Sequence, residues 1–414
     1  MAGKGDDAAI VVPPAGDVAG ASAVSTVVST SNSTSTSTRR SFPPSAKLGV
    51  LPTTVTCTFA AEGSANAVFQ MRPGGVAAAS TAASAAPVST TMLHPSIITS
   101  HLLRVPKAAP GVSPHVCIDH HDYYVSVLQP LIGPDYLVGQ RLVCGVTQLH
   151  PHLNRLLAAH DDDPHRRRRP DWAGCLVADN VDVALLVEDM TAATAATATI
   201  QFKPKWLAQS PTAPSGARRC RTCALSAALA SKGPGKTSRT PKPCPLVLVA
   251  EEQALRANGT AKAADRLDDA LWDYLSRHLG PNDPASALLP AARAAIVRWV
   301  RTTDLFRRLA VIQREYDPKG ALCIRPGDDG AAAAQALDRL QTAMTLRDCT
   351  CYLRVSLHVD GRVSAVSAKL GDLDRKDGRR RLARWQAQER ELIDGGFYTA
   401  AEEPRQATQC WLER

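Results

Sequence analysis

The stretch from Asp348 to Asp372 constrains the chain more than any other. From Cys349 to Val359 the residue types alternate: Cys349, Cys351, Leu353, Val355 and Leu357 share one side, and Thr350, Tyr352, Arg354, Ser356 and His358 the other. That period of two marks a half-buried strand. Asp360-Gly361 follows, a dipeptide that favours a two-residue hairpin turn, and the chain returns through Val363 and Val366 to Leu370. If Val359 faces Arg362, the register brings Asp348 and Asp372 to within one residue of opposition at the open end.

Two carboxylates at one sheet end are costly unless something holds them. Magnesium-dependent phosphoryl transfer uses such a pair. One takes the substrate hydroxyl proton, and the other holds the metal that bridges the nucleotide phosphates. Arg375, Lys376, Arg379, Arg380, Arg381 and Arg384 follow, a cluster that suits a polyanion. On spacing alone, an N-capping Asp348 and a solvated basic helix explain the stretch equally well.

Composition narrows the partners. The chain has 414 residues, room for two or three domains or one bilobal unit. Its 44% hydrophobic content supports a real core, and 48 Lys and Arg against 39 Asp and Glu leave +9. A basic balance favours nucleic acid, acidic lipid or a phosphorylated small molecule. At 5% aromatics, stacking on many bases is disfavoured. No apolar run reaches the roughly 18 residues of a membrane helix. Asp6 and Asp7 and the lack of an apolar region beside them argue against a signal peptide. Eleven cysteines then read as reduced thiols, and the sequons at Asn32 and Asn258 carry no glycan.

Along the chain, residues 1–46 read as a disordered tail: twelve of the twenty residues from Ala21 to Arg40 are Ser or Thr. A low-complexity stretch from Pro73 to Thr91 opens an expected insertion over 73–100, and another runs from Gln209 to Pro243. Val55 to Phe69 predicts two strands around a Glu62-Gly63-Ser64 turn. Leu102, Leu103 and Val105 predict another, and Val181 to Val187 a buried one. Residues 262–278 and 285–316 predict helices. On the second, Leu289, Ala292, Ile296, Trp299, Thr303, Phe306, Ala310 and Gln313 follow the spacing of a core-packing face. The result is an α+β chain, β-rich in front and helical behind.

Other motifs have plainer readings. Ala230 to Thr237 (ASKGPGKT) matches a relaxed phosphate loop, but Pro241, Pro243 and Pro245 follow where a helix should begin. Cys220-Arg221-Thr222-Cys223 and Cys244 offer three thiols. Structural zinc takes four ligands, usually with a second close pair, so these read as buried structural cysteines. His120 and His121, flanked by Asp119 and Asp122, read as a surface turn. Arg166–Arg169 reads as a solvated loop, an import signal or a phosphate contact.

With these residues in view, the chain resembles the inositol-pentakisphosphate 2-kinase family, its fungal members above all, over roughly residues 51–400. Ala61-Glu62-Gly63-Ser64-Ala65-Asn66-Ala67-Val68 looks like the family's nucleotide loop, and Leu102-Leu103-Arg104-Val105 like its phosphate-reaching strand. Gln129-Pro130-Leu131-Ile132-Gly133-Pro134 with Tyr136-Leu137-Val138 resembles its Pro-Leu-x-Gly segment. Leu185-Leu186-Val187-Glu188-Asp189-Met190 resembles its adenine hinge. Phe202-Lys203-Pro204-Lys205 matches its Glu-Ile-Lys-Pro-Lys signature, followed by Cys220-Arg221-Thr222-Cys223 and Cys244-Pro245-Leu246. Arg347-Asp348-Cys349-Thr350 looks like its Lys-Asp-Cys-Ser catalytic segment, and Gly371-Asp372-Leu373-Asp374-Arg375-Lys376 like its metal-binding run.

The resemblance implies a two-lobed inositol-phosphate-kinase fold distantly like protein kinases, with an N-lobe over 47–190 and a C-lobe over 191–414. It implies transfer of the ATP γ-phosphate to the 2-hydroxyl of inositol pentakisphosphate, giving the hexakisphosphate (phytate). Asp348 is then the base and Asp372 the magnesium ligand. Gly63, Ser64, Ala65, Asn66 and Arg104 cradle ATP, and Glu188, Asp189 and Met190 meet adenine. Arg169, Lys203, Lys205, Asn258, Lys376 and Arg380 bind the substrate. ATP, Mg2+ and inositol pentakisphosphate are the expected ligands. A monomer in the nucleus, the cytoplasm or both is expected, with neither membrane nor stable nucleic-acid binding.

Departures from the family pattern are Gln201 for the signature Glu, Arg375 for an apolar residue, and Ala173 after Trp172 in place of an Arg. The Cys/His zinc cluster of plant members is missing, which implies no zinc of that kind. The rival readings are a catalytically weak polyphosphate- or RNA-binding protein that keeps the fold, and a kinase for another inositol phosphate or a lipid headgroup.

Overall fold

The computed structural model describes residues 48–52, 54–74, 91–163, 168–191, 196–232, 243–250, 262–279, 285–400 and 410–413. The expected tail over 1–46, Arg166, Arg167, Asn258 and residues 233–237 of the phosphate-loop pattern lie outside the described residues.

Mixed β and α content is borne out. Strands β1 (Gly49–Val50), β2 (Val55–Glu62), β3 (Asn66–Pro73), β4 (Thr91–Met92), β5 (His101–Pro106), β6 (Gln140–Cys144) and β7 (Ala184–Glu188) form one sheet in the order β2-β3-β5-β7-β6-β1-β4. Neighbours run antiparallel except β1, which lies parallel to both β6 and β4. A second sheet holds β8 (Thr197–Phe202), β9 (Thr350–Leu357) and β10 (Val363–Gly371) in the order β10-β9-β8, all antiparallel. The sheets touch where Leu137 bridges Leu370 and the Val138 N–H donates to the Leu370 carbonyl at 2.9 Å.

The expected register holds at the open end of the hairpin, where Thr350 opposes Gly371. The tip differs. The His358 N–H donates to the Arg362 carbonyl at 2.8 Å, so three residues turn the chain rather than two, with Gly361 at φ +80°. That extra residue would slip the register, but a bulge between Val363 and Ala365 slips it back. The side-chain face is thereby preserved. Cys351, Leu353 and Val355 are buried against Ile296, Phe306, Leu309 and Leu346 of the helices Ala285–Thr302, Leu305–Tyr316 and Ala331–Leu346. Each fully buried Leu or Phe there contributes about 1.5–3 kcal/mol. A separate core joins Phe69, Leu103, Val105 and Leu186 to Leu153 and Leu157 of helix His150–Asp162.

Two expectations are corrected, and two low-complexity stretches hold ordered elements. The helix over 285–316 is two, broken at Thr303 and Asp304. The apolar spacing runs on across the break, but the chain turns at Thr303 and Asp304, where Thr303 Oγ1 accepts from the Leu305 N–H at 3.3 Å. The insertion over 73–100 contains β4 and helix Pro95–Ser100, with Ile98 buried. The low-complexity stretch after Gln209 contains helix Arg221–Ala230, whose small residues Ala224 and Ala228 let it pack closely. Chain entering the phosphate-loop pattern is therefore helix, where such a loop needs a strand. His120 and His121 lie on helix Val116–Tyr123, not in a turn.

Candidate active site

The open end of the β9–β10 hairpin gathers five charged side chains. Asp348 follows helix Ala331–Leu346 and precedes β9, so no helix begins there for it to cap. Its carboxylate accepts instead from Lys205 Nζ (3.1 Å) and Lys376 Nζ (2.9 Å). Lys203 Nζ bridges the two aspartates, 2.8 Å from Asp372 and 3.4 Å from Asp348, and also donates to the Asp348 carbonyl at 2.6 Å. Three lysines thus face two carboxylates, an excess of positive charge at a half-open surface. Burial pushes the Asp348 carboxyl up, but Lys376, Lys205 and Lys203 outweigh it and hold the group far below the usual carboxylate range. Burial pulls the Lys203 ammonium down, and the two aspartates more than reverse that.

Among the described residues, Lys205 (φ +59°) and Asp372 (φ +54°) are the non-glycine residues in the left-handed region. Such strain collects at functional sites when the surroundings hold it in place. Here Gln313, fully buried, does the holding for Lys205. Its Nε2 donates to the Lys205 carbonyl (3.0 Å) and its Oε1 accepts from the Leu207 N–H (2.9 Å). The Gln313 carbonyl accepts from Arg347, whose other arm binds Asp317 at 2.5 Å. One helix, Leu305–Tyr316, therefore places both the Lys203–Lys205 segment and the residue before Asp348. Gln313 entered the sequence reading only as part of a core face.

The β2–β3 turn lies beside this cluster. Gly63, Ser64 and Ala65 are exposed at the β2–β3 turn, and no protein atom comes within 4 Å of a side chain built on Gly63. Asn66 is buried and donates to Asp374 at 3.2 Å. Arg104 forks onto both oxygens of Asp374. Burial pushes the Asp374 carboxyl up, but Arg104 wins and holds it at about 2, against an ordinary 3.8. A group depressed in the folded state stabilises the fold above its ordinary pKa, and that stability is lost as pH falls through the folded value. At about 1.4 kcal/mol per pH unit, the pairing contributes about 2 kcal/mol. Urea melts of wild type and Asp374→Asn should differ by about 2 kcal/mol less at pH 2 than at pH 5. A gap that stays constant over that range would show the pairing to be energetically idle.

The remaining expected residues are spread more widely. Glu188 ends β7 and binds Lys369 (2.6 Å) and the Gly139 N–H (3.1 Å). The Asp189 carbonyl accepts from Arg354 and the Met190 carbonyl from Thr199, both at 3.0 Å. A carbonyl has two lone pairs, so the segment keeps acceptor capacity. Arg169 is exposed over the Trp172 ring, 4.6 Å from its centroid. Arg380 is exposed and pairs with Asp377 in its own helical turn at 3.2 Å. Neither meets the lysine cluster. Arg168 beside them is fully buried, binding Glu62 (2.7 Å) and Asp161 (3.1 Å). That part of the basic run is a tether for β2, not a solvated loop.

The cysteines are buried, as expected, but a fourth thiol joins the three that the sequence offered. Cys410 joins Cys220, Cys223 and Cys244; all are buried, with their sulfurs within 4.8 Å of one another. Cys220 and Cys244 lie 3.7 Å apart and Cys244 and Cys410 3.9 Å, too far for disulfides. A tetrahedral zinc with 2.3 Å bonds to sulfur needs about 3.8 Å between sulfurs. The Cys220 N–H donates to Cys410 Sγ (3.1 Å) and the Trp411 N–H to Cys244 Sγ (3.4 Å), as outer-shell donors to metal thiolates do. The Cys220, Cys244 and Cys410 sulfurs and burial push the Cys223 thiol far above its ordinary range. Without a cation, that crowd of thiols cannot ionise together. Four such thiols are the donor number and type that a structural zinc would take.

A family model described as inositol-pentakisphosphate 2-kinase matches residues 59–391. The chain belongs to the inositol-pentakisphosphate 2-kinase family. A curated inositol-pentakisphosphate 2-kinase from Yarrowia lipolytica (strain CLIB 122 / E 150) is 29% identical over 214 residues, 52% of this chain and 56% of that protein. The chain thus spans about half the length of the curated relative it matches. The match to the inositol-pentakisphosphate 2-kinase family takes in the whole lysine–aspartate cluster, Asn66, Arg104 and three of the four cysteines. Cys410 lies beyond it.

Proposed function

We propose that this chain is a kinase that moves the γ-phosphate of ATP to the 2-hydroxyl of inositol 1,3,4,5,6-pentakisphosphate, giving the hexakisphosphate. The observation that carries the reading is the Asp348–Asp372 pair held by Lys203, Lys205 and Lys376. Asp348 is the base. A carboxylate held so low accepts protons poorly. Drawing its lysines onto substrate phosphates relieves that hold as the hydroxyl arrives. Asp372 supplies a carboxylate oxygen of the kind magnesium takes. Asp372 would hold the magnesium, which would supply positive charge for the nucleotide phosphates. In this reading the seven-stranded sheet belongs to the N-lobe, and the three-stranded sheet with its helices to the C-lobe.

The departures from the family pattern sit off this pair. Gln201 is exposed on β8, and Arg375 pairs with Asp338 over the Tyr123 ring. Both leave the catalytic carboxylates intact, which favours turnover over binding alone.

Incubation with magnesium-ATP and the pentakisphosphate, followed by anion-exchange separation, tests the reading. Hexakisphosphate is the expected product. Pentakisphosphate bound but never converted would replace the kinase with a polyphosphate-binding protein on a kinase fold.

A further inference from the structure

Asp374 has no step in the reaction above, yet groups from three elements converge on it. From β5, Arg104 donates through Nη1 at 2.7 Å and through Nη2. Asn66 at the start of β3 donates at 3.2 Å, and His120 of helix Val116–Tyr123 places Nδ1 at 3.6 Å. The Arg104 and Asp374 side chains are only 15% and 20% exposed, so the pair is screened little by solvent. Asp374 itself follows β10, in the other sheet. One carboxylate therefore joins the nucleotide-loop strands to the segment that carries Asp372 two residues earlier and Lys376 two residues later. That segment is fixed on its far side too, because the Lys376 N–H donates to Thr345 Oγ1 at 3.1 Å.

A guanidinium has five N–H donors in a rigid fork. Asp374 takes two, one from each terminal nitrogen. Three remain, including Nε–H, aimed away from Asp374. Without the carboxylate, Arg104 would swing among rotamers that a ligand would have to quench.

We propose that Asp374 is a positioning residue. It pins the Arg104 fork, and through that fork alone sets the phosphate-gripping side of the nucleotide site against Asp372 and Asp348. The inference rests on the kinase reading for what Arg104 grips, the phosphates of an adenosine triphosphate.

The test uses the full chain and Asp374→Asn, which keeps shape but loses charge and turns an amide N–H2 toward the guanidinium. Binding of magnesium with a non-hydrolysable ATP analogue should weaken about ten-fold or more, as loss of orientation does. The KM for ATP should rise likewise. Affinity for inositol pentakisphosphate should stay within about two-fold, because Lys203, Lys205 and Lys376 keep their partners. In an Arg104→Ala background, Asp374→Asn should change nucleotide affinity by less than about two-fold, since nothing is left to position. A residue that only supports the fold would weaken both ligands alike and add its effect to that of Arg104→Ala; either result overturns the inference.

Should Asp374→Asn not fold, Asp374→Glu keeps the charge but misplaces the carboxylate by one methylene. It should show the same split between ligands, and unchanged nucleotide affinity would overturn the inference. Because nucleotide affinity is read without turnover, the two readings fail separately. A wild-type chain that binds nucleotide but makes no product sinks the kinase reading alone; one that binds no nucleotide sinks both.

Discussion

Asp348→Asn is expected to lower kcat about a thousand-fold while leaving the KM for inositol pentakisphosphate unchanged or lower. The split follows from the site's geometry. An amide keeps the shape of the carboxylate but cannot take the hydroxyl proton. Lys205 and Lys376 each lose the charge of Asp348, and of the two carboxylates Lys203 keeps Asp372. With one negative charge fewer among them, these ammonium groups have more to offer a polyanion, so substrate affinity should not suffer. Steady-state kinetics with both substrates varied would show it. A fall in kcat of less than ten-fold would move the base elsewhere, and a rise in KM as large as the fall in kcat would mean that Asp348 orders the site instead of reacting.

How much of this was legible beforehand depends on range. The hairpin is local: alternation from Cys349 and the Asp360-Gly361 turn are enough to bring Asp348 near Asp372. Even there the tip was misread by one residue, and the open end came right because the bulge at Val363–Ala365 compensates. Lys203 and Lys205 came from a family resemblance; nothing in their own spacing says that they meet carboxylates some 145 residues away. Asp374, Arg168 and Gln313 stand in stretches the sequence singles out, but nothing there signals these roles, since the roles come from partners brought in by tertiary packing. Arg168 sits in a run of four arginines, and only burial singles it out. The broken helix at Thr303–Asp304 was legible in principle, because Thr and Asp are start signals. The apolar spacing that continues through them hid it.

The cysteine cage shows the same limit and leads to the second large effect. A Cys-x-x-Cys pair with one further cysteine asks for a fourth ligand, and Cys410 stands 190 residues from Cys220. The cage ties the start of helix Arg221–Ala230, the turn Pro245–Val249 and the terminal turn Trp411–Glu413 to one point. It also holds Arg221, which lies between two of its ligands. Arg221 and Arg347 both pack on the Trp206 ring, at 4.7 and 3.5 Å from its centroid, and Arg347 precedes Asp348. Protein purified without chelator should therefore carry about one zinc per chain, measured by elemental mass spectrometry. Cys410→Ser, or stripping with a strong chelator, should cost on the order of 5 kcal/mol, a large share of an ordinary domain's stability. The melting temperature should fall by about 10 °C or more. Zinc returned to the stripped wild type should restore the melt, and zinc returned to Cys410→Ser should not. A metal-free protein with the same melting temperature, indifferent to chelator, would leave the four thiols as a packed cluster and nothing more.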